Sequence, residues 1–375
     1  MESDADRLFF VGAMPPPVHG MSNVNARMLA ALGRVGMNIY LFDIARGRKK
    51  PTVETIPLPR NEGAVAQLIR FIRSMASVRG TRKTYLSLSG GLGQFRDLVY
   101  IMISRSFRAK IYVHHHSFAY LNRRSVITRL CCWTAGPRSD HIVLCERMAM
   151  LLTQQYGTRP ERVSCLSNSA FLSPIGRRVV RPNLKTVSFF SNITFEKGID
   201  TFFQLANELH ARKLPVRCLI AGPVAPEVRA WFEAALKCAP GVQYLGPQYG
   251  QDKVLFLEQT DLLVFPSTYA NEAEPVTLLE AFSFGVPVIA TALGCIPGLV
   301  GDERGFVLNA QPGLSLTMAD LVQHLTQDAV AYQRLSENCN AYVENANSSQ
   351  SSALNAIVEA IQCGRDFGAD SRAGS

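Results

Sequence analysis

Short runs of β-branched and aromatic residues recur along this chain, separated by longer stretches whose apolar residues return at helical spacing. The first half holds LFFVGA (8–13), NIYLFDI (38–44), TYLSLS (84–89), KIYVHHH (110–116), HIVLC (141–145) and VSCLS (163–167). The second holds TVSFFS (186–191), VRCLIAG (216–222), VQYLG (242–246), LLVFP (262–266), PVIAT (287–291) and GFVLN (305–309). Between them, residues 64–77 bring Val65, Leu68, Ile69, Ile72 and Met75 to helical spacing, as in an amphipathic helix. Strands that alternate with helices imply parallel sheets covered on both faces. Twelve such strands divide into two sheets of six, with a basic, proline-containing joint at GRRVVRPN (176–183). The pattern predicts an α/β chain of two doubly wound domains, residues 1–180 and 181–365, facing across a cleft. The last helix could pack back on the first domain, and the polar tail DFGADSRAGS (366–375) reads as frayed.

Composition agrees with this division. A chain of 375 residues suits two domains, and 47% hydrophobic with 18% charged residues marks a globular protein. No uninterrupted apolar run approaches the ~18 residues that would span a bilayer. The start, MESDADRLFF, is acidic before its apolar part, the wrong order for a secretory signal, so a cytoplasmic chain is expected. Nine cysteines without a CxxC pair read as reduced, mostly buried thiols. The net charge of +9 is unevenly placed: residues 1–180 hold 26 Lys and Arg against 10 Asp and Glu, whereas 181–375 hold 13 against 20. A basic first domain could meet an anionic membrane or a phosphorylated acceptor, and arginines on solvated helix faces would give the same count. No nucleic-acid module accompanies the charge, so no nucleic-acid partner is expected.

In open parallel sheets, ligands sit beyond the carboxyl ends of the strands, and the candidate residues follow those ends. After the first strand, PPPVHG leads to Gly20, where the backbone could approach a ligand or simply turn into a capped helix. Gly12 and Gly20 are too far apart for the dinucleotide GxGxxG fingerprint. Gly90, Gly91 and Gly93 in SGGLGQ read as a tight turn, with no Walker lysine. In KIYVHHH, alternation puts His114 and His116 on one face and His115 on the other, which makes them poor joint metal ligands. In SNITFEKGID, Lys197 before a helix could reach phosphate oxygens, with Gly198 permitting close approach. An exposed lysine in a turn is the alternative. In NEAEPVTLLEAFSFG, Pro275 suits a first helical turn, the helix should run to Phe284, and Gly285 is its stop. Thr277 and Glu280 have capping-box spacing, but a cap explains neither Glu272 nor Glu274. A ligand explains more, since a helix start can hold a diphosphate and carboxylates accept hydrogen bonds from sugar hydroxyls.

With these pieces in place, residues 8–345 resemble a family 4 glycosyltransferase of the GT-B fold. The most specific part is the E-x7-E segment, Glu272 to Glu280, followed by AFSFGVPVIATALGCIPGLV. The resemblance implies that Glu272 faces the donor sugar and that Glu280 binds the ribose of the nucleotide. Backbone amides around Glu274, Pro275 and Val276 would meet the diphosphate and sugar. SNITFEKG matches the family's G-R-x-x-x-x-K-G element, giving Lys197 the diphosphate role and placing Asn192 where the family has arginine. His116 with Ser117 best matches the family's histidine, with His114 and His115 as rivals. Gly20 takes the place of the N-terminal glycine loop. Asn168 in LSNSA resembles the family's PNG element without its glycine.

The implied reaction is a retaining transfer from a nucleoside diphosphate sugar, without another cofactor, to a saccharide or lipid-linked acceptor. Bacterial surface polysaccharide or glycolipid assembly, on the inner face of the cell membrane, is the expected setting. The D-x-D of Asp4 and Asp6 lies in the first residues, so no metal is expected. The alternatives are an epimerase or phosphorylase of the same fold, a dinucleotide-dependent oxidoreductase, and a non-catalytic nucleotide-sugar binding protein.

Overall fold

Twelve strands in two parallel sheets of six are present in a computed structural model, which describes residues 7–16, 20–45, 63–172 and 183–367. The chain forms two units, Met1–Phe171 with Ser349–Ser375, and Leu172–Ser348. The expected joint at 176–183 lies outside the described residues except for Asn183.

Unit 1 begins with β1 (Arg7–Gly12), α1 (Gly20–Arg34), β2 (Asn38–Asp43), α2 (Ala64–Ser77) and β3 (Arg82–Leu88). It continues through α3 (Gly93–Ser106), β4 (Lys110–His115), α4 (Ala119–Asn122) and α5 (Val126–Ala135). β5 (Asp140–Val143), α6 (Glu146–Tyr156) and β6 (Val163–Cys165) complete the first sheet, in the order β2-β1-β3-β4-β5-β6. Right-handed crossovers then put α1 on one face and α2, α3, α5 and α6 on the other. The order reverses between β1 and β3, so the loops after these two strands flank the switch point of this sheet.

The helix at 64–77 forms, but with a different inward face. Phe71 and Met75 are buried and Leu68 is half-buried, whereas Val65, Ile69 and Ile72 are exposed. Phe71 wins the inward position because its ring meets Phe9, Phe42 and Tyr100 edge-on, at centroid distances of 5.7, 4.9 and 4.9 Å.

Unit 2 holds β7 (Thr186–Phe190), α7 (Ile199–Ala211), β8 (Arg217–Ala221), α8 (Arg229–Cys238), β9 (Val242–Tyr244) and α9 (Gly250–Gln259). Then follow β10 (Leu262–Phe265), α10 (Val276–Phe282), β11 (Val288–Thr291), α11 (Ile296–Val300), β12 (Gly305–Leu308) and α12 (Leu314–Gln327). The sheet runs β12-β11-β10-β7-β8-β9, so its order reverses between β7 and β10. One apolar cluster joins α7 and α12 to the sheet through Phe202, Met318 and Val322. A second joins α9 and α10 through Phe256, Leu278 and Phe282. β10 and β11 are buried throughout, as strands covered on both faces must be.

The buried Asp261 fixes the entry of β7 beside β10. Its carboxylate accepts from the backbone N–H groups of Lys185 (3.0 Å) and Thr186 (2.9 Å). Asp261→Ala strands both donors and is expected to cost ~2–4 kcal/mol, read as a fall in the thermal midpoint.

α13 (Ala329–Cys363) starts in unit 2, and its last turns belong to unit 1. There Ile357, Val358 and Ile361 share a core with Met28, Leu32 and Tyr112. Asp366 and Phe367, expected in a frayed tail, are held instead. Asp366 pairs with Lys110 (2.5 Å) and with Arg162, and the Phe367 ring lies 5.6 Å from Tyr112. Residues 368–375 lie outside the described residues. Seven of the nine cysteines are free thiols, four of them buried. Among the described residues no helix is long and apolar enough to cross a membrane.

Candidate active site

The switch point of the second sheet brings together two residues 75 positions apart, Lys197 and Glu272. Lys197 follows β7 in a 3-10 turn capped by Thr194, whose hydroxyl accepts the Lys197 N–H at 3.2 Å. Gly198 ends the turn with φ +80°, and a Cβ there would overlap the Pro266 carbonyl beyond β10. Glycine thus lets the β7–α7 connection rest directly on the exit of β10. The Lys197 ammonium lies 4.6 Å from the centre of the Tyr269 ring and forms an ion pair with the Glu272 carboxylate. The Ser267 hydroxyl is 3.4 Å from the same carboxylate oxygen. Both partners are largely shielded, with side chains 18% and 11% exposed, so salt screens the pair less than it would a surface bridge.

The Glu272 loop is held from behind by the connection after β11. Cys295 donates its N–H to the Ala273 carbonyl at 2.8 Å. Gly294 has φ +54°, and a Cβ there would overlap the carbonyls of Glu272 and Ala273. Gly294→Ala is expected to cost about 1–3 kcal/mol and to displace Glu272; urea denaturation reads the first effect and nucleotide titration the second.

Pro275 is the N-cap of α10, Val276 its first residue, and Glu274 is buried just before it. Thr277 therefore lies inside the helix, and the capping box with Glu280 does not form. Glu280 instead binds Lys253 of α9, Nζ to Oε1 at 2.5 Å. The helix ends at Phe282 and not Phe284, and Gly285 follows it with φ +63°. There Gly285 N–H donates to Phe282 O (2.9 Å) and Val286 N–H to Ala281 O (3.0 Å), a Schellman stop. Asn192 is exposed beyond β7. Lys253, Tyr269 and Gly294 were not singled out from sequence. Only Gly294 left a signal there, a glycine shortly after a strand end.

Gly20 and His116 lie in unit 1. Gly20 is the exposed first residue of α1, after the β1 loop at that sheet's switch point. The turn at 90–93 forms, with Gly91 at φ +57°. β4 ends at His115, so His116 stands just past its carboxyl end. His114 and His115 are fully buried and His116 is half-buried, so His116 is the least buried of the trio. The His114 and His116 rings lie 3.9 Å apart on one side, as alternation predicts.

His115 belongs to a chain of hydrogen bonds whose direction is set at one end. Ser139 Oγ donates to the Gly136 carbonyl (2.7 Å), so it accepts from His141 Nε2 (3.1 Å). His141 Nδ1 must then accept from His115 Nε2 (3.0 Å), and His115 Nδ1 from the Tyr120 hydroxyl (3.0 Å). The Tyr120 oxygen in turn accepts the backbone N–H of Ser117. The network holds the backbone next to His116. Burial keeps all three interior histidines neutral: it pushes His141 down to about 4, and His114 and His115 well below the usual range.

Two doubly wound parallel units of this kind define the GT-B fold. Residues 177–345, which contain Lys197, Glu272 and Glu280, match the family described as "Glycosyl transferases group 1". The D-rhamnosyltransferase WbpZ of Pseudomonas aeruginosa is 34% identical over 106 residues, 28% of this chain and 26% of that protein. The O-antigen chain mannosyltransferase C of Escherichia coli is 25% identical over 150 residues, 40% of this chain and 39% of that protein. Alignments with the curated relatives span from 26% to 55% of those proteins' length. The crystal structure of Anabaena Alr3699/HepE with UDP-glucose superposes with a TM-score of 0.73, covering 94% of this chain and 99% of that one, at 17% identity.

Proposed function

We propose that this chain is a retaining glycosyltransferase that uses a nucleoside diphosphate sugar in bacterial surface polysaccharide or glycolipid assembly. The observation that carries the reading is the Lys197–Glu272 pair at the switch point of the second sheet. A cation and a carboxylate side by side suit the two ends of such a donor. Lys197 would leave Glu272 for the diphosphate oxygens, and the freed carboxylate would accept hydrogen bonds from sugar hydroxyls. Glu280, oriented by Lys253, would take the ribose hydroxyls, and the amides of Glu274 and Val276 would meet the diphosphate and sugar.

In the transfer, the acceptor oxygen bonds to the anomeric carbon from the side of the leaving diphosphate. The sugar–diphosphate bond breaks, and the acceptor proton passes to a diphosphate oxygen. Charge grows on that leaving group, and Lys197 is the residue that offsets it without a metal ion. Gly20 and His116, at the carboxyl edge of the first sheet, are assigned by the resemblance to the donor and sugar. An O-antigen chain mannosyltransferase among the relatives, a UDP-glucose-bound neighbour of the same fold and the family match over 177–345 support the reading. The experiment is a screen of nucleotide sugars with membrane extract as acceptor source, following nucleotide release by the wild type and by Glu272→Ala. Equal, negligible release by both with every donor would overturn the assignment. Assigning the anomeric configuration of the product tests retention.

A further inference from the structure

We propose that the outer face of α2, α3 and α5 in unit 1 docks on an anionic lipid bilayer. The proposal rests on observations separate from the donor site in unit 2.

The three helices lie side by side on one face of the first sheet. α3 carries a second apolar stripe on the side turned away from its packed face. Its buried side carries Gln94, Asp97, Tyr100, Ile101 and Ser104, while Leu92, just before the helix, and Phe95, Val99 and Met102 within it recur at helical spacing on the exposed side. Leu92 is 84% exposed. α5 also has an exposed apolar side: it buries Thr128, Cys131, Cys132 and Ala135 and exposes Val126 (78%) and Trp133 (79%). Ile69 and Ile72 extend the apolar surface onto α2. Single exposed apolar residues need no explanation, but three adjacent stripes form a face suited to something other than water.

Charge decides what that partner is. Residues 63–139, which hold all three helices, carry 13 Lys and Arg against a single carboxylate, a balance of +12. That carboxylate, Asp97, is buried, accepting the Ser89 N–H and lying beside Arg96. Among the described residues, the three helices therefore carry cations and no exposed carboxylate of their own. Arg73, Arg105 and Arg129, one on each helix, are exposed near the stripes. A second copy meeting this face would set like charges against each other. An anionic leaflet neutralises the arginines at headgroup level and takes the apolar side chains just beneath, the geometry of helices lying in a membrane interface.

Trp133 makes the proposal measurable. The chain has two tryptophans, and Trp231→Phe leaves Trp133 as the only reporter. Mixed with phosphatidylcholine vesicles containing about 30% phosphatidylglycerol, this variant should show blue-shifted emission quenched by brominated acyl chains. It should co-sediment at least about tenfold more strongly than with phosphatidylcholine alone, and less as salt rises. Adding Leu92→Glu and Phe95→Glu should abolish the blue shift and the co-sedimentation, with thermal midpoint and vesicle-free nucleotide binding unchanged. No blue shift with anionic vesicles, or binding retained by the double glutamate variant, overturns the proposal. A dimer in sedimentation velocity that the same substitutions dissociate would also overturn it and assign the face to a second copy. Nucleotide binding is measured without vesicles, so failure of the donor-site reading would appear there and nowhere else.

Discussion

Glu272→Gln is expected to separate binding from turnover. The substitution removes the carboxylate that holds Lys197 while keeping the size of the side chain. A nucleoside diphosphate without its sugar should then bind as tightly as to wild type, or up to about fivefold tighter, because no ion pair of up to ~1 kcal/mol must break first. Transfer should behave in the opposite way. Loss of the acceptor for sugar hydroxyls is expected to lower kcat by about 100-fold or more, by analogy with the loss of one strong polar contact in other active sites. Isothermal titration with the free diphosphate and steady-state rates with the sugar donor measure the two quantities independently. A variant that loses both together would mean that Glu272 only supports the loop, and the proposed role would fall.

Mild acid is expected to unfold unit 1 before unit 2. His141 is fully buried and titrates at about 4 instead of 6.5, so between those values the unfolded chain binds a proton that the folded unit refuses. Stability is therefore full above about pH 6.5 and falls as pH drops toward 4, by roughly 3 kcal/mol for this residue. His114 and His115 act in the same direction. Asp97 and Asp140 oppose them, because burial raises their carboxyls. Three buried imidazoles against two partnered carboxylates leave a net loss. Urea midpoints followed by near-ultraviolet circular dichroism should be lower at pH 5 than at pH 7.5, with a shallower slope for His141→Gln. Equal midpoints at the two pH values would contradict this account.

Strands were far more legible in the sequence than inward faces. A parallel strand covered on both sides is apolar almost throughout, so LLVFP or PVIAT declares itself without a partner. The helix at 64–77 shows what periodicity leaves open. It contains two apolar faces, and the ring of Phe71 reaching Phe42 and Tyr100 decides between them, a fact of tertiary packing. The same limit applies to the candidate site. Glu272, Glu280 and Lys197 stand in patterned segments after strand ends and could be picked out. Lys253 lies 27 residues from Glu280 on a helix with no distinguishing pattern, and only the folded sheet brings the two together. The capping box at Thr277 was a local solution that spacing allowed, and the cap at Pro275 left Thr277 inside the helix.

The return of the chain to unit 1 governs the order in which the protein can mature on the ribosome. Ile357, Val358 and Ile361 cover Met28 and Leu32, and Tyr112 donates its hydroxyl hydrogen to carbonyls of Ala360 and Arg365. The first unit to be translated is thus the last to be completed. While unit 2 is being made, at roughly 5–20 residues per second, the α1 side of the first sheet lacks the part of its core that Ile357, Val358 and Ile361 supply. Nascent chains stalled before residue 349 should expose that side to chaperones, although all six strands of the first sheet have already emerged.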